Sequence, residues 1–143
     1  MGMAGEFLVA GELLRRGVHC SVTYGSAKKA DVIAFSQDTE RFVAIEVKTT
    51  SEKSWILGSS IPAPSDKLWV FVLLPSDLSQ SPEFFVLTSR EINDFLTPLY
   101  QEYLRKYRIK NGKEFEGPGV ENLSLKQAEI GRNQWQKVLD QLA

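Results

Sequence analysis

Residues 41–50 read Arg41-Phe42-Val43-Ala44-Ile45-Glu46-Val47-Lys48-Thr49-Thr50, a β-branched and apolar run interrupted by opposite charges two positions apart. Such composition favours a strand. Strand side chains point to opposite faces in turn, so Phe42, Ala44, Glu46, Lys48 and Thr50 share one face. Val43, Ile45, Val47 and Thr49 share the other. Glu46 and Lys48 are therefore neighbours on one face, about 7 Å apart along the strand. Upstream, Ala30-Asp31-Val32-Ile33-Ala34-Phe35 reads as a second strand, joined to the first by the polar segment 36–40. Residues 30–50 thus predict a β-hairpin. Setting Phe35 opposite Phe42 brings Asp31 opposite Glu46, a register that a one-residue slip would undo.

Two carboxylates on adjacent strands repel each other and call for a cation. A divalent ion meets that need, and Mg2+ (or Mn2+) takes oxygen ligands of this kind while keeping several waters. Asp31 and Glu46 are the candidate metal ligands, with the backbone carbonyl of Val47 completing the inner shell. Lys48 is placed to orient or deprotonate the attacking water, or to stabilise a pentavalent phosphate. The ion itself would lower the pKa of water toward neutrality.

Outward from the hairpin, residues 4–16 predict a helix that stops at Gly17. Ala4, Phe7, Val9, Ala10, Leu13 and Leu14 fall on one broad arc. Glu6 falls inside that arc, where a carboxylate is costly unless something pairs with it. Residues 18–24 suggest a short strand and 25–29 a loop. Residues 68–74 are almost uniformly apolar, as in a strand buried on both faces, and 83–87 make another strand. Thr88 and Glu91 have capping-box spacing, so a helix follows to about Leu96, with Pro98 breaking or restarting it. Residues 110–122 hold Gly112, Gly117, Pro118 and Gly119 and read as loop. Ser124 and Gln127 repeat the capping-box spacing ahead of a last helix with Trp135, Val138, Leu139 and Leu142 on one face. Strands grouped centrally with helices on either side predict an α/β fold, a three-layer sandwich whose central mixed β-sheet is flanked by helices. The length suits a single domain over residues 1–143.

Asp31, followed fifteen positions later by Glu46-Val47-Lys48 and preceded by the helix that opens Gly5-Glu6-Phe7-Leu8-Val9-Ala10, resembles the PD-(D/E)XK nuclease superfamily. That group includes type II restriction endonucleases and archaeal Holliday-junction resolvases. The resemblance covers roughly residues 4–75 and thins out afterwards. It implies a restriction endonuclease-like fold and Mg2+-dependent hydrolysis of DNA phosphodiester bonds. Residue by residue, it implies that Asp31 and Glu46 bind metal and that Lys48 acts on the water or the scissile phosphate. Glu6 would contact the metal through water or hold Lys48, and Thr50 would touch a phosphate. The residue before Asp31 is Ala30 where the family motif has proline, and the run 51–64 carries few basic groups.

The net charge of −1 does not advertise a nucleic-acid binder, but charge can be local. Residues 100–113 carry Arg105, Lys106, Arg108, Lys110 and Lys113 against Glu102 alone, with Tyr100, Tyr103 and Tyr107 interleaved. This reads equally as a phosphate-binding patch or as a solvated helix face. Lys28 and Lys29, ahead of Asp31, are further candidate contacts. The expected partner is DNA, duplex or branched. Cutting both strands requires two active sites, so a homodimer is expected. No apolar run approaches the roughly 20 residues of a membrane span. The first residues lack the basic head of a secretory signal, which predicts a cytoplasmic protein.

One cysteine, Cys20, and one histidine, His19, exclude an internal disulfide and a thiolate zinc site. His19 reads as a partly buried structural residue. Trp69 and Trp135 read as core, whereas Trp55, in a loop after the hairpin, leaves a substrate or dimer role open. Phosphate-loop, dinucleotide-turn, nucleophile-elbow and HExxH patterns are absent from the sequence. The alternative to an enzyme is a catalytically idle nuclease-fold protein that binds nucleic acid or a protein partner, since fold does not fix function.

Overall fold

The computed structural model describes residues 2–24, 30–116 and 119–143. In chain order its elements are α1 (Gly2–Arg15), β1 (His19–Val22), β2 (Val32–Phe35), β3 (Phe42–Thr50), β4 (Ser54–Gly58), β5 (Leu68–Leu73) and β6 (Glu83–Thr88). There follow α2 (Ser89–Asn111), β7 (Glu121–Ser124), α3 (Leu125–Ala128), a 3-10 turn (Glu129–Gly131) and α4 (Gln136–Leu142). The hairpin has the assumed register, with Phe35 opposite Phe42 in an antiparallel β2/β3 pair, but the ladder ends at Val32 and Ile45, one position short of an Asp31–Glu46 pair. β1 pairs antiparallel with β2, β5 parallel with β3, and β6 antiparallel with β5, giving a mixed sheet in the order β1-β2-β3-β5-β6.

Two cores sandwich this sheet. On one face α1 and α4 bring Val9, Leu13, Trp135 and Val138 against Val32, Ile45, Val70 and Val86. On the other, α2 and a small β4/β7 sheet bring Ile92, Leu96, Trp55 and Leu123 against Trp69, Phe71, Phe85 and Leu87. Each large apolar side chain so buried contributes about 1.5–3 kcal/mol. β5 is buried on both faces, as its unbroken apolar run requires. The second layer stops short of β1 and β2, so His19, Phe35 and Phe42 on that side face solvent. His19 is accordingly exposed, not partly buried, and stacks on the Phe35 ring at 5.7 Å.

Four expectations change. Residues 54–58 are a strand, and Trp55 is a core residue whose indole N–H donates to the Val72 carbonyl at 3.0 Å. Its partner strand β7 arises inside the stretch read as loop, because the pairing joins segments far apart in the chain. α2 runs unbroken through Pro98. Its first half is anchored by Ile92 and Leu96, and its second half by Tyr103 and Tyr107 packing edge-on to Phe115. The capping box at Ser124 forms but starts a helix of four residues. The chain then turns to join β6, where Asn133 N–H donates to the Phe84 carbonyl at 2.9 Å. A Cβ at Gly131 would stand 2.6 Å from the Val86 carbonyl oxygen, so only glycine allows this approach.

Candidate active site

The β2/β3 ladder ends at the pair Val32 and Ile45, and the chain parts from β3 at Asp31. The Asp31 N–H donates to the Ile45 carbonyl at 3.0 Å, and Asp31 Oδ2 accepts the Val47 N–H at 2.8 Å. A side-chain oxygen thus satisfies a β3 amide that a continuing β2 would have paired through its backbone. On the opposite side the Thr23 N–H donates to the Asp31 carbonyl at 3.0 Å, and the Thr23 hydroxyl bonds to the Ala30 and Asp31 carbonyls. Asp31 therefore stays tied to the end of β1 while leaving β3. The Asp31 carboxylate thus lies at the edge of β3 where β2 leaves it, against Val47, the chain neighbour of Glu46.

Glu46 and Lys48 project from the face that carries Trp69 and Phe71, their parallel partners on β5. Both are half-buried. Lys48 and Thr50 open into a cleft of about 340 Å³ whose far wall is the outer side of β4 and β7, with Ser54, Ile56 and Asn122. The Thr50 hydroxyl accepts the Glu52 N–H at 3.1 Å. Glu46 has a partner that the sequence reading missed. Lys67 Nζ lies 3.6 Å from Glu46 Oε2 and 5.7 Å from the centre of the Trp69 ring. A lysine just ahead of an apolar strand is an unremarkable sequence signal, and only the parallel β3/β5 pairing brings it to Glu46.

Glu6 is buried, as its place in the apolar arc of α1 indicates. α1 covers the opposite face of β3, where Gly5 abuts Thr49 so closely that a Cβ would fall 1.9 Å from Thr49 Oγ1. Glu6 thus belongs to the helix on the face of β3 opposite to Glu46 and Lys48. Asp31, Glu46 and the Val47 carbonyl offer hard oxygen donors, the chemistry that Mg2+ or Mn2+ selects. Among the described residues no group of three or more His, Cys, Asp or Glu side chains is assembled as a metal cage. A two-carboxylate set fits an ion that keeps several waters, as Mg2+ does.

The basic segment divides. Arg105 and Lys106 pair with Glu102, and Arg108 with Glu114. Its tyrosines Tyr103 and Tyr107 are engaged with Phe115. These pairs are exposed, Arg105 and Lys106 share one glutamate, and the segment keeps a net positive charge through Lys110 and Lys113. Lys28 and Lys29 lie outside the described residues. No helix among the described residues is long and apolar enough to cross a membrane.

A five-stranded mixed sheet between two packed layers, with the strands that follow Asp31 and carry Glu46-Val47-Lys48 adjacent, is a restriction endonuclease-like fold. Among solved structures, the chain resembles the Holliday junction resolvase Hjc of Archaeoglobus fulgidus, with a TM-score of 0.50 and 14% identity over 91% of this chain and 88% of that one. It also resembles a bacterial homing endonuclease, with a TM-score of 0.51 and 12% identity over 97% of this chain and 88% of that one. At such identities the likeness is one of fold. No protein-family model matches the sequence, and no curated protein is similar to it.

Proposed function

We propose that this protein is a Mg2+-dependent (or Mn2+-dependent) DNA endonuclease that hydrolyses phosphodiester bonds, acting as a cytoplasmic homodimer. The observation that carries this reading is the Asp31 carboxylate held at the edge of β3 by the N–H of Val47, the chain neighbour of Glu46, with Lys48 opening into a cleft. Asp31, Glu46 and the Val47 carbonyl would hold the ion. When bound, the ion supplies Lewis-acid stabilisation of the phosphate and a more acidic water. Lys48 orients the water and offsets negative charge on the phosphate oxygens. The water oxygen would bond to phosphorus and give up a proton to solvent as the ester P–O bond opposite breaks, and the leaving oxygen would take up a proton from solvent. Glu6, behind β3, would steady Lys48 or reach the ion through water. Thr50 lines the same cleft and would meet a neighbouring phosphate.

Supercoiled plasmid and branched DNA incubated with the protein in Mg2+ or Mn2+ test this, beside Lys48→Ala and an EDTA control. Wild type is expected to cut, with Lys48→Ala slower by at least about a hundredfold, the scale of lost acid–base and electrostatic catalysis. Equal inactivity of both proteins on every substrate would sink the enzyme reading. The net charge of −1 and the few basic groups of residues 51–64 favour a second reading, an idle nuclease fold that binds nucleic acid or a protein partner. Retained DNA binding without cleavage would select it.

A further inference from the structure

Lys67 stands on a rigid base. The Trp69 indole N–H donates to the Ser89 hydroxyl at 2.8 Å, and Ser89 is itself buried. The Ser89 N–H donates to the Lys67 carbonyl at 2.9 Å, and the Lys67 N–H donates to the Ser65 hydroxyl at 3.3 Å. Backbone and aromatic ring are therefore held, while the lysine side chain is about 40% exposed. Its ammonium lies over the Trp69 ring and faces Glu46 Oε2 at 3.6 Å. Lysine is a flexible point charge with three donors, suited to changing partners, unlike the planar fork of arginine. A divalent ion on Glu46 would replace the attraction that Glu46 exerts on Lys67 with repulsion between two cations. The ammonium would then turn outward into solvent, where it is available to an anion such as a DNA phosphate.

We propose that Lys67 is a resident counter-cation of the site, which holds Glu46 in the metal-free protein and turns to a DNA phosphate when the ion binds. This rests on the reading of Glu46 as a metal ligand. Lys67 is a positioning residue here, and its removal has two opposite consequences. Metal binding loses a competing cation and tightens. DNA binding loses one phosphate contact and becomes less sensitive to salt.

Calorimetric titration of Mn2+ without DNA, for wild type, Lys67→Met, Lys67→Arg and Glu46→Gln, tests the first consequence. DNA binding to the wild type and both Lys67 variants over a series of salt concentrations tests the second. Lys67→Met is expected to bind Mn2+ about three- to tenfold more tightly, by removal of like-charge repulsion at a partly exposed site. Its salt slope for DNA is expected to fall by about one. Lys67→Arg, which keeps the charge, is expected to restore both values toward wild type. If Glu46→Gln loses Mn2+ binding but Lys67→Met matches wild type, the counter-cation idea fails and the metal site stands. If wild type binds no Mn2+, both fail. A Lys67→Met protein that binds Mn2+ more weakly also overturns the proposal.

Discussion

The structural role of the Asp31 carboxylate can be separated from the metal-binding role proposed for it. Its Oδ2 accepts the Val47 N–H where β2 leaves the ladder, a structural role that needs an acceptor but no charge. Metal binding needs the charge. Asp31→Asn is expected to keep most of the stability and lose Mn2+ binding. Asp31→Ala is expected to lose the binding and, in addition, about 1–3 kcal/mol, because the Val47 amide is left unsatisfied. Chemical denaturation beside Mn2+ titration separates the two, and equal stability of the Ala and Asn variants would remove the structural role. Gly5 gives a second residue-scale test. Gly5→Ala forces a Cβ onto Thr49 Oγ1 and should cost about 1–3 kcal/mol, the usual cost of overpacking. Thr49→Ala should recover part of that loss, because Thr49 Oγ1 is buried without a hydrogen-bond partner among the described residues. A Gly5→Ala protein as stable as wild type would mean that α1 is not pinned against β3 at this point.

At the scale of elements, the start of α2 joins three parts of the fold. Thr88 and Glu91 form the capping box in both directions. Lys137, just inside α4, donates to Glu91 Oε1 at 2.9 Å, to Glu91 Oε2 at 3.1 Å and to the Val86 carbonyl at 2.8 Å. Burial alone would raise the Glu91 pKa, but the hydrogen bonds from Lys137 and Thr88 and the Lys137 charge outweigh it and hold the carboxyl below its ordinary value. A folded-state pKa below the unfolded one adds stability that is fully present above the ordinary glutamate range and is lost as pH falls through the depressed value. Glu91→Gln should therefore lower stability by about 1–2 kcal/mol at neutral pH, typical of a lost cap and a charged hydrogen bond. The gap from wild type should shrink on acidification. Thermal melts of both proteins across the acidic range check this, and a gap that is constant with pH would exclude the linkage to Glu91.

The whole molecule is asymmetric about its sheet. α2 and the β4/β7 sheet protect one end of the outer face, while Phe35 and Phe42 stand at the other, Phe42 with 73% of its surface exposed. Large exposed aromatics on an open sheet face are a feature of association surfaces. A second copy of this chain is the occupant that the proposed function requires, since cleavage of both strands needs two sites. Phe42 lies six residues from Lys48 on the same strand face and does not line the cleft that Lys48 enters. Light scattering is expected to report a dimer for wild type and a monomer for Phe42→Glu. A monomeric wild type at high concentration would refute the arrangement.

Period and spacing carried much of this protein. Alternation along 41–50 placed Glu46 and Lys48 on one face, the 3.6-residue period put Glu6 in the buried arc of α1, and both capping boxes were visible as short-range pairs. These are local properties, written in residues close in the chain. Contacts between distant segments were not legible. The β4/β7 pair and the parallel β3/β5 register that brings Lys67 to Glu46 both depend on chain segments meeting in space. Asp31 shows the division most clearly. Its motif spacing pointed to the site, but its departure from the ladder to cap Val47 followed from the way β1 and β3 pull on either side of it, which only the assembled sheet decides.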